Sequence, residues 1–159
     1  GPPQPGYYGI HAPAPADPTI EDCRISNWDI GLFLDGAPSE PVTKVRVTSN
    51  GLVRCNTGML LQEPLGEFTL VIRSNGHSQN SESHVRVTGT NSTRLFLSDA
   101  EYLTDDPVIV DGPIVVEAER SWWGAAVPPT SPDQFQELNG GDLRFEPIAT
   151  RRLFPGFIP

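Results

Sequence analysis

The stretch "VRVTSNG", Val45 to Gly51, runs apolar, variable, apolar, two further residues, then Asn-Gly. "LVIRSNG", Leu70 to Gly76, repeats the pattern 25 residues later, and "VRVTGTN", Val85 to Asn91, repeats its opening four residues. A second series overlaps the first. "GIHA" (Gly9 to Ala12), "IGLFLDG" (Ile30 to Gly36) and "TGMLLQE" (Thr57 to Glu63) each set a glycine before an apolar run, with Gly9, Gly31 and Gly58 spaced by 22 and 27. Self-similarity at such a period is the mark of a stacked repeat architecture. Each unit holds two or three strands of three to five residues separated by polar turns. One unit cannot bury its own apolar face, but units stacked at about 4.8 Å can, each strand pairing with its equivalents above and below. A β-sandwich would need longer strands joined by hairpins, and no Asn-Gly pair here is flanked by matched strands. The Asn-Gly pairs instead mark a corner at which Asn or Gly takes a left-handed conformation.

Composition agrees with an all-β chain. Pro at 17 and Gly at 15 make about one fifth of the 159 residues, and no window sustains helical periodicity. The net charge is −9, from 20 acidic against 11 basic residues. Nucleic acid needs a clustered positive surface, and an anionic membrane face needs a polybasic segment, so both are excluded as partners. No apolar run approaches the roughly 18 residues of a spanning helix, and no signal-peptide pattern opens the chain. The initial Gly-Pro resembles a protease-site scar, so residues 1–8 read as a lead-in, 9–149 as repeat coils with a terminal cap, and 150–159 as a tail. Two cysteines, Cys23 and Cys55, allow one disulfide at most; two free thiols acting as small buried hydrophobes are expected.

"PTIEDCRISNWDIGLFLDGA" (Pro18 to Ala37) followed by "VTKVRVTSNGLVRCNTGMLLQ" (Val42 to Gln62) resembles the rungs of right-handed parallel β-helix proteins. Their rungs take the form apolar-x-x-Asn/Cys-x-apolar-x-Asn, then Gly-apolar-x-apolar. That group includes pectate-lyase-like enzymes, periplasmic copper-site maturation proteins, surface adhesins and phage tailspikes. The resemblance covers Tyr8 to Leu61, and more loosely Phe68 to Val116. Many bacterial members end in an apolar strand, Asn-Trp-Trp-Gly, a Pro-rich excursion, a Gly-rich turn and a last strand. "VVEAERSWWGAAVPPTSPDQFQELNGGDLRFEPIA" (Val115 to Ala149) is similar, with Ser121 in place of the Asn and a longer excursion. The tail "TRRLFPGFIP" leaves the pattern.

The resemblance implies an all-β, right-handed parallel β-helix of about five or six coils with a C-terminal cap. The coils divide as 9–16 (incomplete), 17–40, 41–66, 67–93, 94–112 and 113–147. Such a stack is on the order of 25 to 30 Å long and exposes strand edges at its ends, which natural solenoids cover. Little precedes the first coil, so the chain is expected to be the C-terminal part of a longer β-helix, or to have that end covered by another chain.

Residues able to carry chemistry are few. "SDAEYLTDDPVIVDG" holds Asp99, Glu101, Asp105, Asp106 and Asp111, with Glu117 and Glu119 a rung later. Likeness to pectate-lyase-like enzymes implies a Ca²⁺ site, with Asp105, Asp106 and Asp111 as ligands and Arg86 or Arg94 as the base. The competing reading makes these aspartates turn residues that bond their own backbone. The polygalacturonase pattern of paired aspartates with a following Gly-His is absent, as are a Gly-x-Ser-x-Gly elbow, a phosphate loop and a dinucleotide fingerprint. His77 and His84 flank "SQNSES" and are expected in a mobile exposed loop; with His11 they show no metal spacing. Asn91 to Thr93 forms a glycosylation sequon.

Trp28 and Tyr102, with Tyr7 and Tyr8, are the candidate sugar-stacking rings. Trp28 in "SNWDIG" either points outward or folds over its neighbouring rung. Trp122 and Trp123 are strand neighbours and so face opposite ways. One is expected to close the last rung's core and the other to lie under the Pro-rich excursion, with Gly124 allowing the exit. The functional expectation is a secreted, periplasmic or cell-surface module without catalysis of its own, binding a polysaccharide or cell-surface glycan or serving as a structural adhesive element. No cofactor beyond Ca²⁺ is implied. The alternatives are part of a lyase or hydrolase acting on acidic polysaccharides, and a tailspike or adhesin stalk.

Overall fold

The computed structural model describes residues 6–66 and 69–154, and these contain sixteen short strands and no helix. In chain order they are Tyr8–Pro13 (β1), Thr19–Glu21 (β2), Arg24–Ser26 (β3), Ile30–Asp35 (β4), Val45–Thr48 (β5) and Gly51–Val53 (β6). Thr57–Gln62 (β7), Leu70–Arg73 (β8), Gly76–Ser78 (β9), Ser83–Thr88 (β10) and Thr93–Ser98 (β11) follow. The last are Glu101–Tyr102 (β12), Val108–Asp111 (β13), Ile114–Glu117 (β14), Phe135–Leu138 (β15) and Asp142–Arg144 (β16).

The strands form three sheets: sheet I in the order β1-β4-β7-β10-β13-β15, sheet II in the order β2-β5-β8-β11-β14-β16, and sheet III in the order β3-β6-β9-β12. Every paired strand is parallel to its neighbour. The chain therefore climbs II, III, I repeatedly, a parallel β-solenoid of about five turns.

Alternate residues of each strand point inward and stack into columns. Sheet I contributes Leu32, Met59, Val85 and Val108 in register; sheet II contributes Ile20, Val47, Ile72 and Leu97. All are at most 7% exposed. Sheet III contributes Ile25, Leu52, His77 and Tyr102, a column that passes from aliphatic to aromatic toward the C-terminal end.

The corner between sheets II and III is two residues long in every coil from β2 to β12. Its first residue is left-handed each time: Asp22, Ser49, Ser74, Asp99 and, in the last coil, Arg120 have φ of 55° to 60°. The Asn-Gly pairs were expected to supply that conformation; the serine before each one supplies it instead. Asn50 and Asn75 come next and turn inward, fully buried, as rungs of a side-chain ladder. Asn50 Oδ1 accepts from the Cys23 N–H at 3.0 Å, and Asn75 Oδ1 accepts from the Asn50 N–H at 3.0 Å. Each amide also donates to a backbone carbonyl of the coil below, Ile20 for Asn50 and Val47 for Asn75. A left-handed serine places the following amide over the core, where only such bonds offset its burial.

The glycine series has a different cause. A Cβ on Gly9 would lie 2.6 Å from the Gly31 carbonyl oxygen, one on Gly31 2.7 Å from that of Gly58, and one on Gly58 2.5 Å from that of His84. These coils touch backbone to backbone at the corner between sheets III and I. The corner between sheets I and II varies in length, with five residues at 14–18, nine at 36–44, four at 89–92, two at 112–113 and three at 139–141.

Candidate functional site: a depression on sheet II and a buried aromatic stack

The outer face of sheet II is a ladder of ion pairs between coils. Lys44 meets Asp17 at 3.1 Å, and Arg46 meets Glu21 at 2.6 Å. The half-exposed Arg94 and Arg144 both reach Glu117 at 3.3 Å. Arg120 grips Asp99 through Nε at 2.8 Å and Nη2 at 3.1 Å. The hydrogen bond and charge of Asp99 raise the Arg120 pKa further, while the hydrogen bond from Arg46, then that from Thr48, holds the Glu21 carboxyl below its ordinary value.

Arg73, exposed at the end of β8, is the exception. In register it stands between Thr48 and Ser98, and no acid pairs with it among the described residues. Beside it runs the column of Val71 and Phe96, both half-buried. Together with Ser98, Asp99 and Arg120 these side chains line a depression of about 230 Å³. A free planar guanidinium presents paired donors suited to a carboxylate, Phe96 offers an apolar face, and Ser98 and Asp99 accept from hydroxyls.

The second cluster is internal. His77, Tyr102 and Trp123 are 1 to 2% exposed and His84 is 0% exposed. The His77 ring stacks on Tyr102 at 5.2 Å, Tyr102 lies 4.4 Å from Trp123, and His84 is 5.7 Å from Tyr102. Trp123 thus closes the interior column of sheet III. Trp122, half-buried beside Glu101, faces the other way, as expected for strand neighbours. The Gln134 side-chain amide donates to the Trp123 carbonyl at 2.8 Å and ties down the Pro-rich excursion.

His84 Nε2–H donates to the Thr104 carbonyl at 2.9 Å, and its Nδ1 accepts from the Asn80 amide at 3.1 Å, which fixes a neutral tautomer. His77 Nδ1, the Tyr102 hydroxyl and Trp123 Nε1 are buried with no hydrogen-bond partner. Burial pushes the His77 pKa well down, aided by the neighbouring His84, and burial lowers that of His84 as well. Burial likewise raises the Tyr102 phenol far above its ordinary range.

Several expectations are corrected. His77 and His84 are not on a mobile exposed loop but inside the coil. The polar run between them contains Asn80, itself buried, whose Oδ1 accepts from the Cys55 N–H at 3.0 Å in a second ladder. Repetition carried the missed signal: His77 follows Asn75-Gly76 as Leu52 follows Asn50-Gly51, and both point inward. Tyr102 is buried, so its ring presents no face to a ligand. Trp28 is 38% exposed, but its ring folds against Gly9 of the preceding coil, where a Cβ would meet Cδ1 at 2.9 Å.

Asp105 and Asp106 lie in the turn between β12 and β13, Asp106 accepting from the Thr104 hydroxyl. Asp111 ends β13 and binds Arg86 at 3.1 Å and Asn139 at 2.7 Å. Among the described residues no group of three or more His, Cys, Asp or Glu side chains is close enough to hold a metal ion. Arg86 on sheet I and Arg94 on sheet II, the two candidate bases, stand on different faces, each engaged by a carboxylate. Cys23 and Cys55 are free thiols, Cys55 buried and its pKa raised by that burial, Cys23 only partly buried. No described helix is long and apolar enough to cross a membrane.

Comparison of the chain with protein-family models, with curated proteins and with solved structures finds no match.

Proposed function

We propose that the chain is a rigid, non-catalytic β-solenoid module that binds a glycan across the outer face of sheet II. One observation carries the reading: among the described residues Arg73 has no acid partner in a face whose neighbouring cations are paired, and it sits beside the half-buried Phe96 ring. An apolar ring edge with a free fork of donors and nearby acceptors matches the mixed apolar and hydroxylated surface of a sugar, and a sugar carboxylate would complete the Arg73 pairing. The parallel stack supports such a role because it holds these side chains on strands rather than loops.

The test is titration with neutral and carboxylated oligosaccharides followed by calorimetry. Binding is expected to favour the carboxylated ligands and to be lost in Arg73→Ala and weakened in Phe96→Ala, with the melting temperature retained. Equal binding by wild type and Arg73→Ala overturns the site. Growth of an unsaturated-product absorbance with polyuronate and Ca²⁺ overturns the non-catalytic reading.

A further inference from the structure

We propose that the C-terminal cap is an acid-released closure: protonation of His77 and His84 frees the segment from Trp123 to Gln134 while the earlier coils stay folded. The geometry makes the coupling direct. Trp123 rests on Tyr102, Tyr102 rests on both imidazoles, and the four rings form one buried stack.

Both imidazoles resist a proton while the stack is closed. His84 Nδ1 faces the Asn80 amide protons, so a second N–H there would point donor at donor. His77 Nδ1 has no partner, and a charge on it would stand fully buried beside His84.

The surroundings set the direction of the response. From the turn after β12, Asp106 approaches His84 Nε2 at 3.9 Å and Asp105 adds a favourable charge. From β8 and β11, the apolar Ile72 and Leu97 line the small cavity beside His77 and bring no charge to it. Glu101 on β12 is occupied by Arg152 at 3.2 Å, and the adjoining strands β6 and β7 present only Leu52 and Met59. Once the cap lifts, both imidazoles meet water, and His84⁺ keeps its carboxylates.

Release is confined to one end because the earlier coils hold no titratable group in this column. Ile25 and Leu52 take the positions of His77, and Gly31 and Gly58 take that of His84. The cap rests on the coils through the Trp123 ring and the Val108 N–H, which donates to the Gln134 carbonyl at 3.0 Å. The Gln134 and Thr130 side-chain bonds stay within the segment, so it is the weaker unit.

The experiment uses the full chain carrying Trp28→Phe, so that emission comes from Trp122 and Trp123. Acrylamide quenching and far-UV circular dichroism are followed from pH 7.5 to pH 4.5. Quenching is expected to rise severalfold below the ordinary imidazole range, near pH 6.5, while the dichroism of the coils persists. His77→Phe keeps the stacking but not the proton, and the rise is expected to move to lower pH and become shallower. If that variant does not fold at pH 7.5, His77→Leu replaces it. Loss of quenching protection and dichroism together, no change down to pH 4.5, or an unshifted profile in the His77 variant each overturns the proposal.

Discussion

Asn50 lies directly beneath Asn75, its backbone N–H and its side-chain amide both donating to Asn75 Oδ1, at 3.0 and 3.1 Å. One oxygen thus serves two buried donors, while Asn75 Nδ2 reaches back to the Val47 carbonyl at 3.0 Å. Replacing Asn75 with Ala leaves the Asn50 N–H without its acceptor and removes one bond each from the Asn50 amide, which keeps the Ile20 carbonyl, and from the Val47 carbonyl. The expected loss is about 2 to 4 kcal/mol, read from the urea midpoint, because a buried group left unpaired costs about 1 to 3 kcal/mol and the two further bonds add to it, partly relieved by relaxation.

The ladder breaks one coil higher, where the equivalent position is Ala100. No acceptor meets the Asn75 N–H among the described residues, and a cavity of about 10 Å³ lies between Asn75, Ala100 and His77. Ala100→Asn is expected to extend the ladder and raise stability by about 1 kcal/mol, the net worth of a hydrogen bond. A lowered melting temperature would mean that the column is too tight for the larger side chain.

Trp123→Ala empties the end of the sheet III column and is expected to cost about 3 to 5 kcal/mol in chemical denaturation. Trp122→Ala, at a half-buried outward position, is expected to cost clearly less. Equal effects would show that the two rings do not divide the work as their placement indicates.

The buried imidazoles give stability a pH slope. Unfolded His titrates near pH 6.5, whereas His77 and His84 are held lower in the folded chain. At pH 7.5 neither state binds the protons. As pH falls through about 6.5 the unfolded chain takes them up first, so stability falls, by at most about 1.4 kcal/mol per unit per histidine, until the folded pKa values are reached. Urea midpoints between pH 7.5 and 5.5 check this, since ordinary carboxylates titrate lower.

Glu101 is fully buried and receives the Arg152 guanidinium at 3.2 and 3.3 Å and the Leu153 N–H at 2.9 Å. The chain after β16 is thereby fastened across sheet III. Arg152→Ala leaves a buried carboxylate with one backbone donor and is expected to lower stability by about 3 kcal/mol. Glu101→Gln, which keeps volume without charge, should cost less in the same thermal melt.

The coils were legible because the sequence repeats what stacking requires. The divisions 17–40, 41–66 and 67–93 each enclose one complete set of three strands. The glycines at 9, 31 and 58 marked the corner where backbones touch. His77 and His84 were misplaced because polar residue type suggested a loop, whereas position in the repeat dictates the inside. Arg73 could not be singled out from sequence: whether it is paired depends on carboxylates 20 or more residues away, brought alongside by coils of unequal length. Asp105, Asp106 and Asp111 read as a cluster along the chain, yet β13 carries Asp111 to the next corner, where Arg86 and Asn139 take it up.

The uneven corner between sheets I and II has a practical consequence. With the sheet II–III corner fixed at two residues and its left-handed pivot repeated, the coils differ in length at the other two corners. The Pro-rich excursion before β15 lies between sheets III and I, and the remaining large changes fall on the flank between sheets I and II. That flank absorbs nine residues in one coil and two in another without altering the pairing of strands on either side. A foreign peptide spliced among the exposed residues Ala37 to Glu40 would therefore be carried as a side loop, held at a known height on a stiff support. The fold is, in that sense, a ruler with an attachment edge.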